Sequence, residues 1–346
     1  MDKNILREYA KLIAVSGVNV QPRQEVVVRA EPESLDFLET LVEELYLAGA
    51  GRVRVEWRYV PLTCLDIKYQ DAETLGSVPK WEEEKLRHNS DTLPAMIYLH
   101  SDDPDGMNGI DQEKWALAQQ ARYKISKPYR DAMENKYQWC VVSVPGVKWA
   151  RKVFPGLSDD EAVEKLWQAI LECSRATDKP IETWNAHDEN LLRRCNWLNS
   201  LDLRRLNYRG VLIENFSVRF ENGRAVEVHA EKNEEALKLM IAMDEGACKL
   251  GECALVPYDS PINRSGILFY NTLFDENASC HLALGMGYSS CLKDFEKYTP
   301  DEARELGVND SMIHEDFMIG SPDLRITGIT ADGREVPIFI NGDWAE

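Results

Sequence analysis

The stretch EVVVRAEPESLDFLETLVEELYLAGAGRVRVEWRY, residues 25–59, sets the architecture of the N-terminal half of this chain. Its first six residues, EVVVRA, form a short β-branched run suited to a buried strand. Pro32-Glu33-Ser34 then opens a helix whose apolar positions, Leu35, Phe37, Leu38, Leu41, Val42, Leu45 and Tyr46, recur at helical spacing until Gly49 and Gly51 stop it. Residues 52–59 alternate as a second strand. Strand, helix and strand in this order predict a mainly parallel sheet covered by helices.

The pattern extends in both directions. Upstream, Leu6, Tyr9, Ala10, Leu12 and Ile13 mark another helix, and downstream residues 95–99 and 138–144 supply further strand-like runs. Gly17, Gly49 and Gly51 do not form a G-x-G-x-x-G after a strand, which argues against a dinucleotide site. Ser158 with Glu161 three residues later reads as a capping box before a helix carrying Ala162, Leu166, Trp167, Ile170 and Leu171. Residues 175–190 turn polar, and a chain of 346 residues is long for one core, so the boundary is placed there: an α/β domain over 1–185 and a second domain over 186–346.

The second half reads differently. Residues 211–213, 217–220 and 225–229 alternate, with Asn222-Gly223 as a hairpin turn between the last two. Residues 234–250 look helical, and Asp332-Gly333 joins 326–329 to 336–340 as a second hairpin. These signals predict an α+β domain rich in antiparallel sheet.

Composition narrows the function. Lys and Arg total 40 against 59 Asp and Glu, a formal charge of −19 that would repel phosphate backbones and argues against nucleic-acid binding. The apolar runs fall far short of the roughly 20 residues of a membrane span. The first residues lack the features of a secretory signal, so a cytoplasmic protein is expected. Eight cysteines are scattered without a C-x-x-C pair, which speaks against a disulfide framework or a cysteine zinc cluster.

A hydrolytic metal site needs carboxylate oxygen and imidazole nitrogen around an open position. The second domain offers Glu252, His281, His314 and Asp316. His314 and Asp316 are two apart, so an extended segment points both to one face. Singly, each has an ordinary structural explanation: a surface pair for His314 and Asp316, a core histidine among small residues for His281, a helix terminus for Glu252. A cysteine nucleophile, Cys280 beside His281, is disfavoured because neighbours in a strand face opposite ways.

Context changes that weighing. GECALVP (251–257), SPI (260–262), LFYNTLFDENASCHLALG (268–285), HEDFMIGS (314–321) and RRCNWL (193–198) together closely resemble the aminopeptidase T / aminopeptidase S family of metallopeptidases. The resemblance extends more weakly over the N-terminal domain. It implies a cytoplasmic, homodimeric metalloaminopeptidase that uses two divalent ions, zinc, cobalt or manganese, to release N-terminal residues from peptides. It also implies that Glu252, His281, His314 and Asp316 are the metal ligands, and that Tyr288 hydrogen-bonds the oxyanion of the tetrahedral intermediate. Asp275 and Glu276 are candidates to orient the histidines by accepting their other ring N–H, or else to cap a loop.

The chain also departs from the family. Relatives carry several dozen residues between the segments 193–203 and 207–216, where this chain has only Arg204-Arg205-Leu206. By the resemblance, the missing stretch holds a Pro-Thr-Glu-Glu motif whose glutamate is a further ligand. A natural deletion, a segment absent from this sequence, and substitution by Glu214 or another carboxylate all remain open here. So does a second class of function, a catalytically impaired homologue acting as a dimeric binding or scaffold protein.

Overall fold

The computed structural model describes residues 1–346 apart from 102, 202, 210–215 and 232–233, and of 203–209 the backbone alone. The chain divides into two compact units, Met1–Glu189 and Asn190–Glu346.

In the first unit, strands β1 (Glu25–Ala30), β2 (Arg52–Trp57), β3 (Ala95–His100) and β4 (Trp139–Ser143) form one sheet in the order β2-β1-β3-β4, with every pair parallel. Val26, Val27 and Val28 are successive and all fully buried, so both faces of β1 are covered. That is why this strand reads as a continuous apolar run rather than an alternating one. The helix Leu35–Leu47 turns Leu41 and Leu45 into the core. Its end is fixed by Gly49 at φ +115°, with Gly49 N–H donating to the Tyr46 carbonyl and Ala50 N–H to that of Leu45. Tyr9, Phe37 and Trp167 meet ring to ring, which seats the first helix, Lys3–Leu12, and the late helix Asp159–Cys173 against the same core. The capping box of Ser158 and Glu161 starts that late helix.

Residues from 180 onward in the polar stretch belong to the helix Pro180–Ser200. One expectation is revised: residues 234–250 do not form one helix, and the helix is Glu234–Ile241. Asp244 ends it, because its carboxylate accepts the N–H groups of Gly246 and Ala247 and offers the backbone a turn instead. The strand expected at 211–213 lies outside the described residues.

The second unit is built from antiparallel pairs among the described residues. β5 (Leu203–Arg209), β11 (Arg325–Thr330), β12 (Glu335–Ile340) and β13 (Asp343–Trp344) make one sheet. β6 (Phe216–Glu221) and β7 (Arg224–Ala230) make a hairpin, with Asn222 and Gly223 both at positive φ as a tight two-residue turn demands. β8 (Leu250–Ala254), β9 (His281–Gly285) and β10 (His314–Met318) make a three-stranded sheet with β9 in the centre. Among the described residues of this unit, Cys280, Ile319, Leu324, Ile326, Ile338 and Phe339 form a hydrophobic core, with Leu282 and Phe317 packed against it.

Candidate metal centre

The register of the three-stranded sheet decides which side chains meet. Against β10, His281 on β9 pairs with Met318, Ala283 with Asp316 and Gly285 with His314. His281, Ala283, Gly285, His314 and Asp316 therefore share one face, while Leu282 and Phe317 point to the opposite, core face.

Glu252 joins them through a bulge. Leu250 pairs with Leu284, and regular antiparallel pairing would then set Glu252 opposite Leu282, on the apolar face. The register shifts between Leu250 and Glu252, with Gly251 as the extra residue, so Glu252 pairs with Ala283. One inserted residue turns the carboxylate over to the histidine face. Glycine is required there, because a Cβ would fall under 3.0 Å from the carbonyl oxygens of Gly285 and Met286. Ala283, fully buried between Glu252 and Asp316, leaves the middle of the face open.

Four side chains converge there. His281 Nε2 lies 3.4 Å from Glu252 Oε1, His314 Nε2 lies 3.2 Å from Glu252 Oε2, and His314 Nε2 lies 3.5 Å from Asp316 Oδ1. Donor atoms of Glu252, His281 and Asp316 all fall within 4.8 Å of one another. Each histidine is oriented through its other nitrogen: Nδ1–H of His281 donates to the Ser279 carbonyl at 3.1 Å, and that of His314 to the Met286 carbonyl at 2.7 Å. Backbone carbonyls thus fix both tautomers and aim both Nε2 atoms inward.

The electrostatics follow from this crowding. Hydrogen bonds from His281 and His314 hold the Glu252 carboxyl down at about 2. The hydrogen bond to Glu252 pushes His314 up to about 9 despite partial burial. His281 is also raised: burial is the largest single influence and lowers it, but the hydrogen bonds to Glu252 and Ser279 and the charges of Glu276 and Glu252 together outweigh that. Burial, and next Asp316 bonded to it, raises the Glu276 carboxyl well above the usual range. Two imidazoles flanked by carboxylates suit a divalent cation that takes nitrogen and oxygen donors, such as zinc, cobalt or manganese.

The remaining candidates separate. Glu276 stands beside Asp316, facing the cluster. Asp275 instead accepts the N–H groups of Phe269 and Asn271 at 2.9 and 3.1 Å and caps its own loop. Neither carboxyl is the acceptor for the histidine Nδ1–H groups, a role the backbone fills. The Tyr288 ring sits 5.2 Å from that of His314 and is 47% exposed. Cys280 Sγ–H donates to the Val256 carbonyl, and burial pushes the thiol up to about 11, which disfavours the thiolate that a nucleophile needs. Gly251 and the two anchoring carbonyls were missed by sequence reasoning; only the Gly-Glu pair ahead of an apolar strand hints at the bulge.

Comparison with known proteins places the chain in a family. The profile of the thermophilic metalloproteases (M29) matches residues 2–210 and 204–344. Aminopeptidase AmpS of Bacillus subtilis (strain 168) is 37% identical over 402 aligned positions, covering 98% of each chain. Aminopeptidase 2 of Geobacillus stearothermophilus is 33% identical, covering 98% of this chain and 97% of its own. The solved structure of wild-type AmpT from Thermus thermophilus superposes with a TM-score of 0.86 at 30% identity, covering 99% of this chain and 100% of that one. An alignment of 402 positions against a chain of 346 leaves at least 56 positions with no counterpart here. The two profile matches meet at 204–210, which places the gap there. The chain belongs to the thermophilic metalloprotease (M29) family of metal-dependent peptidases, with an internal segment of that family missing.

Proposed function

We propose that this chain is an aminopeptidase that holds two divalent ions at Glu252, His281, His314 and Asp316 and removes N-terminal residues from peptides. The observation that carries this reading is the convergence of both histidine Nε2 atoms on the two oxygens of one glutamate. Glu252 Oε1 faces His281 and Oε2 faces His314, so the carboxylate is the shared member of two neighbouring donor groups. Asp316 is within reach of both histidines, 3.5 Å from His314 Nε2 and in the group with Glu252 and His281, and Glu276, once its proton is displaced, offers a further oxygen beside it. Bound divalent ions supply Lewis-acid polarisation of the scissile carbonyl and bring the pKa of water near neutrality.

The chain's own residues do the rest. Ser279 and Met286 hold the imidazoles in the tautomer that presents Nε2. Tyr288, whose ring lies beside that of His314, donates a hydrogen bond from its phenol O–H to the oxyanion that forms when the carbonyl is attacked. That bond is stronger in the transition state than in the ground state, which is what accelerates a reaction. The acidic cluster also gives the substrate's free ammonium a complementary field. The catalytic domain is taken as 186–346, and the protein as a cytoplasmic homodimer by analogy with the family resemblance.

A second reading is favoured by the internal gap: a homologue with impaired catalysis that binds peptides or serves as a scaffold. Release of free amino acids from an unblocked peptide separates the two. Aminopeptidase activity predicts chelator-sensitive release that N-acetylation of the peptide abolishes. No release with cobalt, zinc or manganese supplied would leave only the impaired homologue.

A further inference from the structure

We propose that Asp244 and Asn309, which do not themselves face the donor cluster, are positioning residues: they clamp the loops entering β8 and β10 to the end of β9 and so set the spacing of the ligand-bearing strands. The inference rests on the metal-site assignment above.

The clamp is built at the His314 end of the sheet. Asp244 Oδ1 accepts Gly246 N–H and Ala247 N–H, both at 2.9 Å, from the loop that leads into β8. Its Oδ2 accepts the Ser311 hydroxyl at 3.1 Å and Met312 N–H at 2.6 Å from the loop that leads into β10. A single carboxylate thereby ties together two segments 67 residues apart in sequence. Asn309 Nδ2 makes the complementary links, donating to the Gly246 carbonyl at 2.9 Å and to the Gly285 carbonyl at 2.5 Å. Gly285 ends β9, so all three strands are joined at this point.

The bonds propagate to the candidate ligands through the backbone. Ser311 Oγ accepts Ile313 N–H, and the Ile313 carbonyl accepts Met286 N–H at 2.7 Å. The carbonyl of that same Met286 holds His314 Nδ1–H. On the other side, the Lys249 carbonyl accepts Gly285 N–H at 2.8 Å, immediately before the bulge that aims Glu252. The approach is close: a Cβ at Gly246 would fall under 3.0 Å from the Asp310 carbonyl. Loosening the clamp therefore displaces His314 and Glu252 relative to each other without removing either.

The test compares Co²⁺ binding and the Co²⁺ absorption spectrum of the full chain with Asp244→Ala and Asn309→Ala, using Asp332→Ala as a control. Asp332 supports a hairpin of the same unit, accepting from Thr330 and Arg334. For either clamp variant we expect a loss of about 10- to 100-fold in Co²⁺ affinity, a changed visible spectrum, and a fall in kcat with little change in KM. The control should keep the wild-type affinity and spectrum even if its melting temperature falls equally. Asn309→Ala carries the test if Asp244→Ala does not fold. A folded clamp variant with wild-type affinity and spectrum would overturn the proposal. Wild-type protein that takes up no Co²⁺ would overturn the metal-site assignment and this inference with it.

Discussion

Replacing Gly251 by alanine adds one methyl group at the point where β8 is forced out of register. The new Cβ would lie under 3.0 Å from two backbone carbonyl oxygens, those of Gly285 and Met286, neither of which can swing aside like a side chain. Restoring normal contact requires the strands to part by roughly 1 Å, or the bulge to unwind. Parting separates Glu252 from His281 and His314. Unwinding sets Glu252 opposite Leu282, against the core that contains Cys280 and Ile319. Overpacking of this kind costs about 1–3 kcal/mol, and a misplacement of about 1 Å near reacting groups costs on the order of 100-fold in rate. Gly251→Ala should therefore fold with reduced stability, bind Co²⁺ or Zn²⁺ about 10- to 100-fold more weakly by calorimetry, and lose most of its peptide hydrolysis. A folded Gly251→Ala with wild-type affinity and turnover would refute the role given to the bulge.

Other outcomes follow from the same geometry. His314→Ala should abolish amino-acid release while leaving the circular dichroism spectrum unchanged; full activity would remove His314 from the site. Metal uptake must displace the proton held on His314, whose metal-free pKa is raised to about 9. Apparent affinity should thus climb by up to about tenfold per pH unit for each proton displaced, that of His314 among them, and the protons released should be readable by calorimetry in buffers of different ionisation enthalpy. A flat profile between pH 6 and 9 would contradict this. In the metal-free protein the sign is opposite: the stability contributed by charged His314 is complete below its unfolded pKa and is lost as pH rises through about 9. Melting curves of apoprotein across that range should show the decline. Cys280→Ser should lose some stability, the thiol being 1% exposed, yet retain turnover; an inactive but folded variant would revive a cysteine mechanism.

Local chemistry made much of the fold legible. The β-branched run of Val26 to Val28, the glycines after Leu47, the Ser158 capping box and the Asn222-Gly223 turn each act over a few residues, and the structure uses each as read. Residues 234–250 were misread because the partners that help hold Asp244, Ser311 and Met312, come from far along the chain. Helical periodicity contains no trace of them. The candidate ligands were nameable, through the H-x-D spacing and the context around His281, but not their meeting. His281 is as buried as a core histidine, at 3% exposure, and still faces Glu252. Whether Glu252 reaches it depends on register, a property of the pairing of β8 with β9 rather than of either strand alone. The anchoring carbonyls of Ser279 and Met286 belong to the backbone and leave no side-chain signature.

Metal content per chain, measured by plasma mass spectrometry after dialysis against zinc, cobalt or manganese, bears most directly on the central claim when wild type is compared with Glu252→Gln. Because Glu252 presents one oxygen to each histidine, the wild type should retain two divalent ions and the variant at most one, with hydrolysis lost in parallel. A wild type that retains fewer than two, or a Glu252→Gln variant that retains as many ions as wild type, would contradict it.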